Sequence, residues 1–134
     1  MLIRNILEES VRKFDEVKAV KWLNKKEIME RSYGELMENV VSTRKGLLAE
    51  GFEGKHIALI GTSSVEWMES YLGIITGCTT AVPLDAALPC EDLIDLLNRS
   101  DSAALFLSPK LRPYLDAFLE TARNFRRCGC FRKR

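Results

Sequence analysis

The stretch "HIALIGTSSVEWMESYLGIITGCTTAVPLD", residues 56–85, decides the fold. It opens on a continuous apolar run, "HIALIG" (56–61), the pattern of a strand buried on both faces. "SSVE" (63–66) has the form of a capping box, so Ser63 is expected to cap a helix while Glu66 reaches back to it. "WMESYLGIITG" (67–77) continues as a helix that is apolar on most sides and therefore belongs deep in a core. Gly73 within it is expected to allow close packing against a strand. "TTAV" (79–82) reads as a second buried strand. Pro83 has no N–H to give a sheet and is expected to end that strand. Asp85 then falls just past the strand's carboxyl end, where open parallel sheets bind their ligands. Pro83-Leu84-Asp85 is thus either the rim of a functional crevice or, more plainly, a strand stop followed by a solvated loop acid.

The same alternation extends in both directions. Downstream, "PCEDLIDLLNRS" (89–100) reads as a helix with Pro89 in its first position. Glu91 and Asp92 favour the positive end of its dipole, and Leu93, Leu96 and Leu97 form its core face. "AALFL" (103–107) is a third buried strand, and "PYLDAFLETARNF" (113–125) an amphipathic helix using Leu115, Phe118, Leu119 and Ala122. Upstream, "SYGE" (32–35) is a second capping box, formed by Ser32 and Glu35. Tyr33, Leu36, Met37, Val40, Val41, Leu47 and Leu48 follow as one stripe, and Gly51 stands where a C-cap glycine is wanted, giving a helix over 33–50. "KAVKWL" (18–23) and "EIMER" (27–31) pair as a hairpin through "NKK", and "NILEESVRKF" (5–14) is a helix with Asn5 as its cap. Helices alternating with strands through short links imply an α/β fold. Three layers are expected, with a short, mostly parallel sheet flanked by helices, plus an N-terminal β-hairpin.

The 134 residues suffice for one domain with one core. No apolar run approaches the ~18 residues of a membrane span. "MLIRNILEES" places acids straight after a short apolar run, unlike a signal peptide, so the expected compartment is the cytoplasm. The net charge of +1 hides an asymmetry: "RNFRRCGCFRKR" (123–134) holds six Arg or Lys and no acid. Residues 1–122 are expected to form the domain, and residues 123–134 a basic tail outside the fold. Either that tail binds nucleic acid or acidic lipid, or it is unselected sequence appended by a frameshift or early stop; the abrupt composition break favours the second. Cys128-Gly129-Cys130 is too tightly spaced for a zinc ribbon, and His56 has no companion ligand. Cys78 and Cys90 are expected in or near the core as small apolar residues. Ser63 has no histidine–acid pair to activate it as a nucleophile. No residue is singled out as catalytic, cofactor-binding or metal-ligating.

"RSYGELMENV" followed by "GFEGKHIALIGTSSVEWMESYLGIITGCTTAVPLD" resembles the N-terminal region of the AMP-binding, adenylate-forming superfamily. That group includes acyl-CoA synthetases, adenylation domains of non-ribosomal peptide synthetases, and luciferases. Its Thr/Ser-Tyr-x-Glu-Leu motif is matched by Ser32-Tyr33-Gly34-Glu35-Leu36. A later motif, a Leu-Gly helix leading to Pro-Leu-Asp, is matched by Leu72-Gly73 and Pro83-Leu84-Asp85. Between them, Ser63-Ser64-Val65-Glu66-Trp67 stands where the family favours Asn-Ser-x-Glu-Trp. The likeness covers residues 5–110 and rests on motif order and spacing. Ser63 replaces the usual asparagine, which keeps a capping side chain. Cys78 stands where glycine is usual, with Gly77 one place early.

The resemblance implies ATP-dependent activation of a carboxylic acid, through an acyl-adenylate, for transfer to a thiol such as coenzyme A. It also implies what such chemistry requires: a Gly/Ser/Thr-rich phosphate loop ending in Pro-Lys-Gly, an acid for magnesium and ribose, and a lysine on a mobile C-terminal domain. None of these occurs here, and the only Pro-Lys, in "SPK" (108–110), has no glycine on either side. The chain is therefore expected to be a truncated N-terminal scaffold of such a ligase, inactive alone. ATP, magnesium and coenzyme A belong to the complete family enzyme and not to this chain by itself. The alternatives are one chain of a split enzyme, partnered by a separately encoded remainder, or a small binding module using its basic tail. Nucleic acid is not the expected partner.

Overall fold

The computed structural model describes residues 2–121 and 127–130. The chain begins with helix α1 (Ile3–Phe14), then the strands β1 (Lys18–Asn24) and β2 (Glu27–Ser32), and helix α2 (Tyr33–Ala49). Next come β3 (His56–Ile60), α3 (Val65–Ile75), β4 (Thr80–Leu84), α4 (Cys90–Arg99) and β5 (Ser102–Leu107). A 3-10 turn (Pro109–Tyr114) leads into α5 (Leu115–Thr121), and β6 (Arg127–Cys130) follows. β1 and β2 form a separate antiparallel ribbon, while the main sheet is parallel in the order β4-β3-β5-β6.

The layers follow from alternation along the strands. Ala58 and Ile60 of β3, with Leu105 and Leu107 of β5, pack against Leu93 and Leu97 of α4 and Phe118 of α5. On the other face Ile57 and Ala104 pack against Leu47 of α2, Phe52 and Ile74 of α3. All of β3 after His56 is buried, as a continuous apolar run in the middle of a doubly covered sheet should be. The expected three-layer α/β architecture with an N-terminal hairpin is what forms.

The caps of α2 match the sequence closely. Ser32 Oγ accepts from the Glu35 amide at 3.2 Å, and Glu35 Oε2 accepts from the Ser32 amide at 2.7 Å. Past the far end, Gly51 adopts φ +78°, the left-handed region that glycine enters without a side-chain clash. The Phe52 amide then donates to Leu47 O at 3.1 Å and the Gly51 amide to Leu48 O at 3.0 Å, the paired bonds of a Schellman ending.

Several boundaries differ from the sequence reading, each for a local reason. The strand expected over 79–82 runs from Thr80 to Leu84, straight through Pro83. The Thr80 amide donates to Lys55 O of the β3 side at 2.9 Å, so by period two Val82 and Leu84 also face β3. The backbone nitrogens of Ala81 and Pro83 point away from β3, and β4 is an edge strand, where a missing N–H leaves no ladder bond unmade. The α3 cap is Ser64 rather than Ser63: its Oγ accepts from the Trp67 amide at 3.1 Å. Pro89 is the N-cap of α4, one place before its first helical residue. α1 starts at Ile3, ahead of Asn5. Gly73 packs on a helix and not on a strand: a Cβ there would lie 2.6 Å from Thr43 Cβ of α2. Leu48 and Cys78, both expected inside, are exposed, whereas Cys90 packs on the α4 core. The helix expected over 113–125 is described only as far as Thr121, and Ala122 lies outside the described residues. Within the basic stretch expected outside the fold, residues 127–130 pair with Ala104–Leu107 as the fourth parallel strand.

Candidate functional site

The carboxyl ends of β3 and β4 open onto a shallow concavity of about 460 Å³. Gly61, Thr62 and Ser63 line it from the β3–α3 loop, Trp67 from α3, and Leu84, Asp85, Ala86 and Ala87 from the segment ending β4. Two parallel strands and one helix N-terminus converge there, as expected at a sheet's ligand-binding end. Asp85 sits at the rim, where the sequence places it. Its carboxylate is engaged within its own loop: Oδ1 accepts from the Ala87 amide at 2.9 Å, an Asx turn that shapes the chain leaving β4. Asp85 is exposed and bonded within its own loop, the arrangement the loop-acid reading describes.

Trp67 forms the apolar wall and was not flagged by sequence as a lining residue. It stacks on Tyr71, one turn further along α3, with ring centroids 5.3 Å apart and planes 9° off parallel. The i, i+4 spacing of two aromatics on one helix is the signal that could have found it. Ser63, relieved of capping by Ser64, turns its side of the loop to the concavity. His56 is at the opposite end of β3, with Nδ1 2.6 Å from Ser100 O. The fold therefore keeps the one imidazole a strand's length from Ser63, and no nucleophile–base pair forms.

Asp85, an anion, is the only charged residue lining the concavity. Among the described residues no cluster of three or more His, Cys, Asp or Glu is placed to hold a metal ion.

A second polar cluster ties the hairpin to the body. Arg31 on β2 pairs through Nη1 with Glu69 on α3, and the same carboxylate oxygen accepts from Asn39 Nδ2 on α2 at 3.0 Å. The Arg31 guanidinium also lies 5.4 Å from the ring centre of Trp22 on β1. Both ionised side chains are largely buried, 18% and 8% exposed, so each is held by the other. This cluster joins three elements around α3, the helix whose N-terminus borders the concavity.

Among the described residues, no helix is long and apolar enough to cross a membrane. No curated protein matches the chain significantly by sequence. Solved structures do match it in fold. The N-terminal domain of FACL13 from Mycobacterium tuberculosis superposes with a TM-score of 0.86 at 18% identity, over 97% of this chain and 34% of that one. The anthranilate CoA ligase AuaEII, solved with anthranoyl-AMP, gives a TM-score of 0.85 at 16% identity, over 97% of this chain and 25% of its own. A putative long-chain-fatty-acid CoA ligase from Rhodopseudomonas palustris gives 0.85 at 12% identity, over 99% and 33%. The chain thus spans about a quarter to a third of the length of the proteins it resembles. The family model described as AMP-binding enzyme matches residues 7–127, nearly the whole chain, and to that family the protein belongs.

Proposed function

We propose that this chain is scaffold from the N-terminal domain of an ATP-dependent, carboxylate-activating ligase, and that it forms no acyl-adenylate by itself. One observation carries the reading: the family match runs from residue 7 to 127, yet the strand-end concavity offers a single anionic side chain and no cation. The segment supplies the sheet, the concavity's floor and its aromatic wall. The phosphate loop and the catalytic lysine must come from the rest of such a ligase, continuous with this chain or separately encoded. That remainder is the partner we assign. ATP, magnesium and coenzyme A are ligands of the completed enzyme. We place that enzyme in the cytoplasm, in keeping with the free thiols of Cys78 and Cys90.

The test is carboxylate-dependent ATP–pyrophosphate exchange. The purified chain with a panel of aromatic and aliphatic acids should give only background. Supplying the remaining two-thirds to three-quarters of a family enzyme as a second polypeptide should restore exchange. Exchange above background by this chain alone would overturn the proposal.

A further inference from the structure

The β1–β2 hairpin turns an apolar pair into solvent. Leu23 and Ile28 stand opposite each other in register and are 69% and 72% exposed. They share a face with the Lys21–Glu30 ion pair, whose atoms are 2.9 Å apart. The other face carries Trp22, Met29 and Arg31, and Arg31 is bonded to Glu69 of α3. That face is held against the body, so the Leu23–Ile28 face points away from it. Lys25 and Lys26 make the turn between the strands. Lys25 adopts φ +57°, a conformation that Asn or Gly enters more easily than lysine. Lys26 does not share that conformation, so the turn favours glycine or asparagine at its first position alone and carries two lysines instead. With Lys18 and Lys21 set against Glu27 and Glu30, and Arg31 neutralised by Glu69, the hairpin is net cationic.

We propose that this hairpin tip docks on an anionic lipid surface. Leu23 and Ile28 would enter the boundary between headgroups and acyl chains, while Lys25 and Lys26 reach the lipid phosphates. A protein partner fits less well. A standard interface buries about 800 Å² on each side, more than two aliphatic side chains on a narrow ribbon provide. A bilayer needs no matching contour and rewards a protruding apolar tip ringed by cations. The inference uses no residue of the strand-end concavity, so the vesicle experiment and the exchange assay can fail separately.

The experiment is co-sedimentation of the full 134-residue chain with sucrose-loaded vesicles, either of phosphatidylcholine alone or with added phosphatidylglycerol. Binding is expected to the anionic vesicles and to weaken at ~1 M salt, where the Debye length falls to about 3 Å. Leu23→Ser with Ile28→Ser should reduce partitioning about tenfold or more, from the apolar area withheld from the bilayer. Lys25→Glu with Lys26→Glu should reduce it on anionic vesicles only. All four side chains project from the ribbon, and circular dichroism will verify that the variants remain folded. Two outcomes overturn the proposal. One is no binding by the unaltered chain. The other is binding that the Leu23/Ile28 variant leaves unchanged, which would assign the attraction to the cations of residues 123–134.

Discussion

Glu35 shows how one side chain can make a helix sensitive to acid. Its carboxylate accepts a hydrogen bond from the Ser32 amide, and that bond holds its pKa below the usual carboxylate range. A carboxyl whose folded pKa is lowered stabilises the fold fully above its unfolded value. The contribution is lost as pH falls through the lowered folded value. The capping box should therefore weaken below about pH 4.5 and be intact at neutrality. Glu35→Gln keeps a side chain able to reach back but removes the titration. Urea midpoints at about pH 7 and about pH 3.5 should fall further in the parent than in the Gln variant, since only the parent loses a carboxylate at this position. Equal losses would place the acid sensitivity elsewhere, with the Lys21-paired Glu30 the next carboxylate to examine. The Ser32–Glu35 box was legible in sequence because it is purely local. The Ser63 box was misread: Ser63 has Glu66 three places on, yet the helix is capped by its neighbour Ser64, which fits no such box because its third residue on is Trp67.

At the scale of elements, the packing of α3 on α2 turns on Gly73. Alanine there gains up to about 1 kcal/mol of helix propensity. Its methyl, however, would sit 2.6 Å from Thr43 Cβ and 3.1 Å from the backbone carbonyl of Val40. Overpacking of that kind costs about 1–3 kcal/mol, and a backbone oxygen cannot rotate aside, so the clash wins. Gly73→Ala should lower the denaturation midpoint. Gly46→Ala, with nothing within 4 Å of the new methyl, should raise it through a stability gain of roughly 0.5–1 kcal/mol. The sequence marked Gly73 as a point of close approach but named the wrong neighbour. Periodicity says which face of α3 is inside; which element lies against it is settled only by the path of the whole chain. Trp67 escaped notice likewise, since a tryptophan in an apolar helix reads as core until the concavity beside it is visible. Asp85, by contrast, could be placed past a strand's carboxyl end from the alternation of helices and strands, even though the strand runs on through Pro83 to Leu84.

For the molecule as a whole, most of the α/β order could be read because β3 and β5 are uninterrupted apolar runs separated by capped helices. Two features at the sheet's margins could not. Residues 127–130 read as tail because four residues among cations carry no strand signal of their own; β5 supplies the pairing. Pro83 was taken to stop β4 because sequence does not reveal that β4 is an edge. There the proline also blunts the sheet, leaving Ala81 as the one interior residue of β4 that can offer an outward N–H. Pro83→Val should restore a second one with little change in folding stability, and light scattering should then report concentration-dependent association absent from the parent. Unchanged monodispersity would mean that the edge is guarded by something other than the proline. The strand order has one more consequence, in time rather than space. β3 is the sheet's centre, yet both strands that flank it, β4 and β5, lie later in the chain. A ribosome that has delivered β3 and α3 has produced the middle of a sheet with no sides. Only when Leu107 has emerged can that strand be hydrogen-bonded along both edges, so the nascent chain must carry its most apolar segment unsheltered through much of its own synthesis.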